Sequence, residues 1–439
     1  MSKPAPSAQA KCNRPQIWYI YPPAGGPGLG RYWRAYLLSK AWRALGLECL
    51  VIAPGYHHQF QSLVPREGFQ DVGGAPHYFL PTPPYGMSPL ERVLAMLRIV
   101  PDLLNNSALR DLGKTAPPDV VIYSSPYPFG VVAAWILARR YRARFIFEVR
   151  DIWPLSLTEI LGTPSWHPFV LLAGFCERFA YRTADRVVSL LADANLHMTK
   201  RGLAAAKFCY IPNGVQWGPE DGDFRTAATH PLVRHIVALR EAGEAVIIHA
   251  GNMGATTPLA PLLEAAALIR RNGTKNIRFI LIGRGELESA LRDQAAALSL
   301  TSVEFHDQVE RAVVLECCRQ ADVGFASSPD LPIYRFGVSP NKIYDYMLSG
   351  LPVVYANTRD GNHITATGGA LGCSIDDPEQ IAASILALVS MPQAERRAIG
   401  ERGRSYVLLN HDYSTLARQY ADIMGLTNRN STLNRDQAT

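Results

Sequence analysis

The segment FGVSPNKIYDYMLSGLPVV, residues 336–354, puts a lysine and a carboxylate on one short amphipathic stretch between a Gly/Ser/Pro entry and an apolar run. Ser339 is a good N-cap and Pro340 suits a first helical position. The spacing therefore predicts a helix whose free first amides point outward. Lys342 stands in the first turn, where the helix dipole disfavours a cation by roughly 0.3 kcal/mol or more. A bound diphosphate would offset that cost. Asp345 follows at i+4 from Asn341 and i+3 from Lys342, one turn deeper on the same side. A carboxylate there can accept both hydroxyls of a ribose while Ser339, Asn341, Lys342 and the amides hold phosphates. An ordinary surface helix is the bland alternative.

Three glycine-rich turns offer similar chemistry. YPPAGGPGLGRYW carries Gly28 and Gly30 ahead of a helical pattern, HAGNMG carries Gly251, Asn252 and Gly254, and LIGRGE carries Arg284 between two glycines. Glycines let backbone amides approach a phosphate closely, and helix N-termini favour anions. The first has neither the GxGxxG spacing nor the following acidic residue of a dinucleotide fingerprint, and a tight strand–helix turn explains it equally well; the second is phosphate-compatible but a weak signal alone, and Arg284 of the third is free to reach an anion. FEVRDIWP crowds Glu148, Arg150 and Asp151 onto an apolar strand end, where charge is costly unless paired or facing a ligand. Asp151, Arg150 and Lys342 are thus the catalytic candidates, with an Arg150–Asp151 pair that ties down a loop as the alternative. Trp153, His57 and Glu148 are candidate acceptor contacts, Trp153 as a surface for a sugar plane. His57 and the adjacent His58 diverge and predict no shared metal. The Asp-x-Asp of EDGD, 220–223, sits in a polar stretch and reads as a solvated turn.

These residues cluster at the ends of short apolar runs. Runs at 16–22, 48–54, 119–126, 144–151, 186–191 and 207–213 alternate with amphipathic stretches, and a second series follows at 244–251, 277–283, 303–307, 322–328 and 351–357. Strands covered on both faces lose their period-2 alternation, so the pattern predicts parallel sheets with crossover helices. The expected architecture is α/β, two doubly wound Rossmann-like domains facing a central cleft. Their expected spans are 16–215 and 241–410, with a linker at 216–240, a flexible start at 1–15 and a disordered tail at 427–439. Ligands of such sheets bind beyond the strand C-termini.

The 439 residues carry a net charge of +6, divided unevenly: residues 1–215 sum to +10 and residues 216–439 to −4. A basic half implies an anionic partner. Nucleic acid is disfavoured, for no basic helix or aromatic stacking motif accompanies the charge. Arg139, Arg140, Arg142 and Arg144 with Trp135 and Tyr141, and the stretch WHPFVLLAGFCERFAYR, suit contact with an anionic membrane surface. No signal-peptide core and no run of about 20 apolar residues is present. The seven cysteines form no CxxC pair. A cytoplasmic protein, peripheral on the inner face of the membrane, is expected.

Taken in order, GGPGLGRYWRAYLLSKAWRALG, FEVRDIWP, YIPNGV, HAGNMG and SPNKIYDYMLSGLPVV resemble the family-4 glycosyltransferases of the GT-B fold. The similarity spans roughly residues 16–425 and is greatest to the bacterial branch that builds O-antigen, capsule and exopolysaccharide. The resemblance implies a metal-independent, retaining transfer from a nucleotide-sugar, a UDP-sugar by default, with the nucleotide-sugar as co-substrate and no cofactor. It implies donor binding by the second domain and binding of a saccharide or polyprenyl-diphosphate-linked acceptor by the first. A final helix, within 411–426, is implied to cross back to the first domain. Asp345 takes the place of the second glutamate of the family's Glu-x7-Glu motif, whereas Gly337 occupies that of the first. Asn252 and Pro258 fall where the family commonly has Arg and Lys for the pyrophosphate, which leaves that charge to Lys342 and Arg284. Arg150 falls near the usual sugar-contacting histidine. A GT-B-like nucleotide-sugar epimerase and a non-catalytic sugar-nucleotide-binding partner of an assembly complex are the competing readings.

Overall fold

The computed structural model describes residues 14–426 except 31, 59, 61–63, 87, 217–223, 274–275 and 358–362. The EDGD segment, most of the expected flexible start and the tail thus lie outside the described residues. The chain forms two compact units, one of residues up to 212 together with 413 onward, the other of residues 213–412.

Unit 1 is built on an eight-stranded sheet: β1 (Gln16–Ile20), β2 (Glu48–Pro54), β3 (Gly68–Val72), β4 (Ala75–Leu80), β5 (Val120–Ser124), β6 (Arg144–Val149), β7 (Arg186–Ser189) and β8 (Phe208–Tyr210). Their order is β3-β4-β2-β1-β5-β6-β7-β8, parallel throughout except for β3, which runs antiparallel to β4. Its helices are α1 (Arg34–Ala44), α2 (Pro89–Leu104), α3 (Ser107–Thr115), α4 (Gly130–Tyr141), α5 (Leu155–Glu159), α6 (Pro168–Thr183) and the short α7 (Asn195–Met198). The central strands are apolar because both faces are covered; Ile17, Tyr19, Val51, Val120, Ile122 and Ile146 are all buried in one core.

Unit 2 begins with α8 (Phe224–Ala228) and α9 (Pro231–Glu241). The expected linker at 216–240 is therefore corrected: Leu232, Val233 and Ile236 of α9 are buried in the core of this unit. Its sheet holds β9 (Ala245–Ala250), β10 (Ile277–Ile282), β11 (Val303–His306), β12 (Val323–Ser327), β13 (Val353–Ala356) and β14 (Ala370–Cys373), ordered β11-β10-β9-β12-β13-β14 and parallel throughout. Helices α10 (Ala260–Arg271), α11 (Glu288–Ala297), α12 (Arg311–Gln320), α13 (Asn341–Leu348), α14 (Pro378–Ser390) and α15 (Gln393–Asn410) complete it. Along β9, Val246 and Ile248 face one core and Ile247 the other. In both sheets the strand order reverses beside a central strand, β1 or β9, which is where an open α/β sheet offers a crevice.

The last helix, α16 (Tyr413–Met424), groups with unit 1. Its Tyr420 ring meets Trp42 of α1 edge-on at 5.4 Å, and Trp42 Nε1 donates to Ala417 O at 3.2 Å. Two aromatics expected to join a basic surface turn inward instead. Trp135 packs edge-on against Phe179 and Tyr141 against Trp18.

Glu148 is not an acceptor contact. Fully buried at the end of β6, it accepts hydrogen bonds from Tyr19 (2.6 Å), Ser124 (2.6 Å), Arg34 Nε (3.0 Å) and Tyr420. One carboxylate thus ties β1, β5, β6, α1 and α16 together. Burial alone would push this carboxyl up; Arg34, Arg150 and the donated hydrogen bonds pull it down to about 2. Removing one partner of such a buried pair strands the other charge. Glu148→Ala is expected to cost roughly 3–5 kcal/mol in urea unfolding of unit 1. Because the folded value lies below the ordinary 4.5, this contribution is full above pH 4.5 and fades as pH falls towards 2. The gap between wild type and variant should narrow in acid, and an equal gap at every pH would refute the assignment.

Candidate functional site

The site in unit 2 starts from two loops that touch. Gly251 follows β9 at φ +150° and Gly283 follows β10 at φ +139°. A Cβ built on Gly283 would lie 2.0 Å from Gly251 O, and one on Gly285 2.3 Å from Met253 O. The loops are stitched by Gly251 N–H to Ile282 O (2.9 Å), Met253 N–H to Arg284 O (3.1 Å) and Leu287 N–H to Met253 O (3.0 Å). Side chains at these glycines would separate the loops.

Helix α13 is pinned over this junction by Tyr346. Its hydroxyl accepts from Ala250 N–H at 2.7 Å, and a Cβ on Gly324 of β12 would lie 2.8 Å from its ring. The result sets Lys342 against Gly251: a Cβ on that glycine would lie 3.2 Å from Lys342 Nζ. Nζ donates to Thr257 Oγ1 at 3.2 Å, and removal from water lowers the ammonium to about 8. The first-turn amides of α13 have no acceptor within their own helix. A cation, free amides and side-chain-free backbone therefore share the carboxyl end of the central strand, a cradle for an anion such as a diphosphate.

His249 was not singled out, since it hides inside the apolar run of β9. It is fully buried; Nδ1 donates to Phe325 O at 3.1 Å, which leaves the Nε2 lone pair buried without a partner. Nε2 would lie 3.9 Å from a Cβ on Gly251, on the side shared with Lys342. Burial, with Lys342 adding to it, lowers this imidazole to about 3, so it stays neutral.

The remaining candidates of unit 2 divide. Asp345 accepts from Arg311 Nη2 at 2.6 Å, so one of its oxygens is already engaged by a residue the sequence pattern did not bring forward. Ser339 does not cap α13; Pro340 is the N-cap and no side chain caps the helix. Ser339 Oγ instead accepts from Asn213 N–H (2.9 Å) while Asn213 Nδ2 donates to Ser339 O (2.8 Å), so the YIPNGV motif braces the loop ahead of the helix. His411 Nδ1 in turn donates to Asn213 O at 2.8 Å. Asn341 is exposed at the first helical position. Asn252 is exposed, and Gly254 lies beside Glu286, whose carboxyl is held below the usual range by the Ala255 amide. Arg284 is paired with Asp307 at 2.8 Å, both largely exposed, a contact weak enough to exchange for a stronger anion.

In unit 1 the expected glycine cradle is closed on itself. Gly25 N–H donates to Tyr32 O and Gly26 N–H to Leu29 O, while Gly28 and Gly30 take φ of +70° and +61° to turn this small hairpin. Gly25 and Gly26 thus have no amide to offer a phosphate, and Gly28 and Gly30 are accounted for by the turn. Arg150 makes no ion pair with Asp151 among the described residues. Its guanidinium lies over Tyr21 (4.9 Å) and Tyr32 (5.6 Å), with Nη1 buried and unpartnered. Asp151 is exposed, and both its amide and that of Arg150 donate to Ser125 Oγ. Trp153 meets Phe169 edge-on at 6.0 Å and lines a narrow pocket with Ser125, Asp151 and Tyr181. His57 is buried, lowered to about 3 by burial, His58 and Arg92, and stacked on His58 at 4.4 Å. His58, more open, lies 3.4 Å from the Tyr85 hydroxyl and is the better placed of the two for an outside contact.

Residues 28–214 match the model of the glycosyl transferase 4-like domain, and residues 244–391 match that of the glycosyl transferases group 1. No curated protein sequence matches the chain. Among solved structures, sucrose-phosphate synthase from Thermosynechococcus elongatus superposes with a TM-score of 0.68 at 15% identity, covering 93% of this chain and 98% of that one. A UDP-forming trehalose-phosphate synthase from Burkholderia xenovorans gives 0.65 at 13% identity, covering 94% and 98%. Anabaena HepE, solved with UDP and glucose, gives 0.61 at 15% identity, covering 94% and 100%.

Lys342 is charged below about pH 8 and neutral above it. NMR of the protein with its lysines labelled, with Lys342→Arg to assign the signal, should find one lysine titrating near 8. A Lys342 midpoint at the ordinary 10.5 would refute this environment.

Proposed function

The chain belongs to the family-4 glycosyltransferases of the GT-B fold, and from that premise we propose that it transfers a sugar from a UDP-sugar to a membrane-borne saccharide, with retention of anomeric configuration. The single observation that carries this reading is the Lys342 ammonium set beside Gly251 and the open amides of α13. Cleavage of the anomeric bond develops negative charge on the leaving diphosphate, and a preorganised cation with aligned amides stabilises that charge. Arg284, freed from Asp307, adds a second cation, so the reaction calls for no metal. The unengaged oxygen of Asp345 accepts from the ribose, while Arg311 holds the carboxylate in place.

In a front-face process the departing phosphate oxygen takes the acceptor's proton. Unit 1 then needs no nucleophile. Asp151 orients the acceptor hydroxyl, Trp153 offers a face to its sugar, and Arg150, held between Tyr21 and Tyr32 with Nη1 unpartnered, takes an oxygen of it. The basic balance of residues 1–215 fits an acceptor carried on an anionic lipid such as a polyprenyl diphosphate, in the building of a cell-surface polysaccharide from the cytoplasmic face.

A thermal-shift screen of UDP-, GDP- and dTDP-sugars should show stabilisation by a UDP-sugar. That shift should shrink in Lys342→Ala and Asp345→Ala and weaken as pH rises through about 8, where Lys342 loses its charge. Lys342→Ala should lower kcat/KM roughly 100-fold, the scale of losing one preorganised donor. Equal protection of wild type and both variants would overturn the site.

A further inference from the structure

Unit 1 leaves several large apolar side chains of one segment, residues 161–175, uncovered. Leu161 is 70% exposed, Trp166 73%, Leu171 61% and Phe175 63%. On α6, Leu171, Phe175, Arg178 and Arg182 recur at i, i+4, i+7 and i+11, one outward stripe, while Val170, Ala173, Cys176 and Ala180 of the opposite face are buried. Along its length the stripe changes from apolar to basic. Beside the basic end, a 3-10 turn at Thr199–Arg201 adds Lys200 and Arg201, and a groove of about 650 Å³ opens between them and α6. Arg201 is committed to buried Glu177 at 2.9 Å, whereas Arg178, Arg182 and Lys200 make no ion pair among the described residues.

Three unbalanced cations next to four exposed large apolar side chains select an occupant. Free phosphate would satisfy the cations and leave the apolar ridge in water. A second copy of this chain would set the same cations against one another across a two-fold axis. An apolar protein partner would leave the groove unneutralised. We propose that this face docks onto an anionic phospholipid bilayer. Leu161, Trp166, Leu171 and Phe175 enter the interfacial layer, where an indole ring is at home, and Arg178, Arg182 and Lys200 take lipid phosphates in the groove. The inference deepens the membrane-borne acceptor proposed above and rests on it for its purpose, while its physical basis is this surface alone.

Flotation of the full chain with vesicles, in the absence of any nucleotide-sugar, tests it. The wild type should float with phosphatidylglycerol-containing vesicles and stay behind with pure phosphatidylcholine, and salt should release it. Brominated lipid should quench the wild type more than Trp166→Phe. The combined Arg178→Glu, Arg182→Glu and Lys200→Glu variant should bind roughly 100-fold more weakly, since each lost cation is worth about a factor of five at such a surface. It should keep the wild-type melting temperature and its UDP-sugar shift, because none of the three lies at the donor site. Failure of the wild type to float, equal flotation of the variant, or protection by inorganic phosphate alone would overturn the proposal. So would a dimer that Trp166→Ser dissolves. Loss of the UDP-sugar shift in wild type with flotation intact would instead remove the donor reading and leave the membrane face standing.

Discussion

The Lys342 ammonium lies close against the end of β9 because residue 251 has no side chain to crowd it. Gly251 touches Gly283 through its carbonyl and Lys342 on its open side, so one position serves both the contact between two loops and the approach of a helix. Tyr346 makes that approach rigid, its hydroxyl bonded to Ala250 and its ring accommodated by Gly324. The consequence is electrostatic. Lys342 is brought out of water with Thr257 as its polar contact and, among the described residues, no carboxylate paired with it, and its affinity for a proton falls accordingly. An anion bound there would return the missing counter-charge and raise the lysine's affinity for a proton.

How much of this was legible in the sequence depended on the range of each interaction. The central strands could be read because burial on both faces leaves continuous apolar runs. The edge strands β3 and β14 and the interior strand β4 were not recognised: GFQDV is polar and half exposed, APHYFL sets a proline and a histidine among its apolar residues, and ALGC is only four residues long. The Gly73-Gly74 turn after β3, with φ of +58° and +88°, was the available signal for that hairpin. Lys342 and Asp345 could be put forward together because a helical spacing relates them directly. Ser339 was misassigned as a cap because its real partner, Asn213, is 126 residues away. Glu148 looked like a functional charge for the same reason. Its ion-pair partner Arg34 stands 114 residues earlier and Tyr420 272 residues later, and no local pattern announces either. His249 was hidden by its own surroundings, a polar ring within a run that reads as pure core.

Glu148 and Lys342 show two opposite treatments of a charge withdrawn from water. Around Glu148 the fold supplies a guanidinium and three hydroxyls, and the carboxylate becomes more acidic than it would be in water. Such a group is spent on holding elements together and has nothing left for a ligand. Around Lys342 the fold supplies one threonine hydroxyl and a neutral imidazole, and the ammonium becomes less basic. The direction of the shift therefore separates a charge the fold has compensated from one it has left without a counter-charge, where burial alone does not. Arg150 falls on the first side of that division, for although burial opposes its charge, Tyr21 and Glu148 hold the guanidinium above its ordinary value. Two tyrosine rings carry its weight, but Nη1 has no acceptor, so the strand end that seemed merely crowded with charge keeps one donor in reserve.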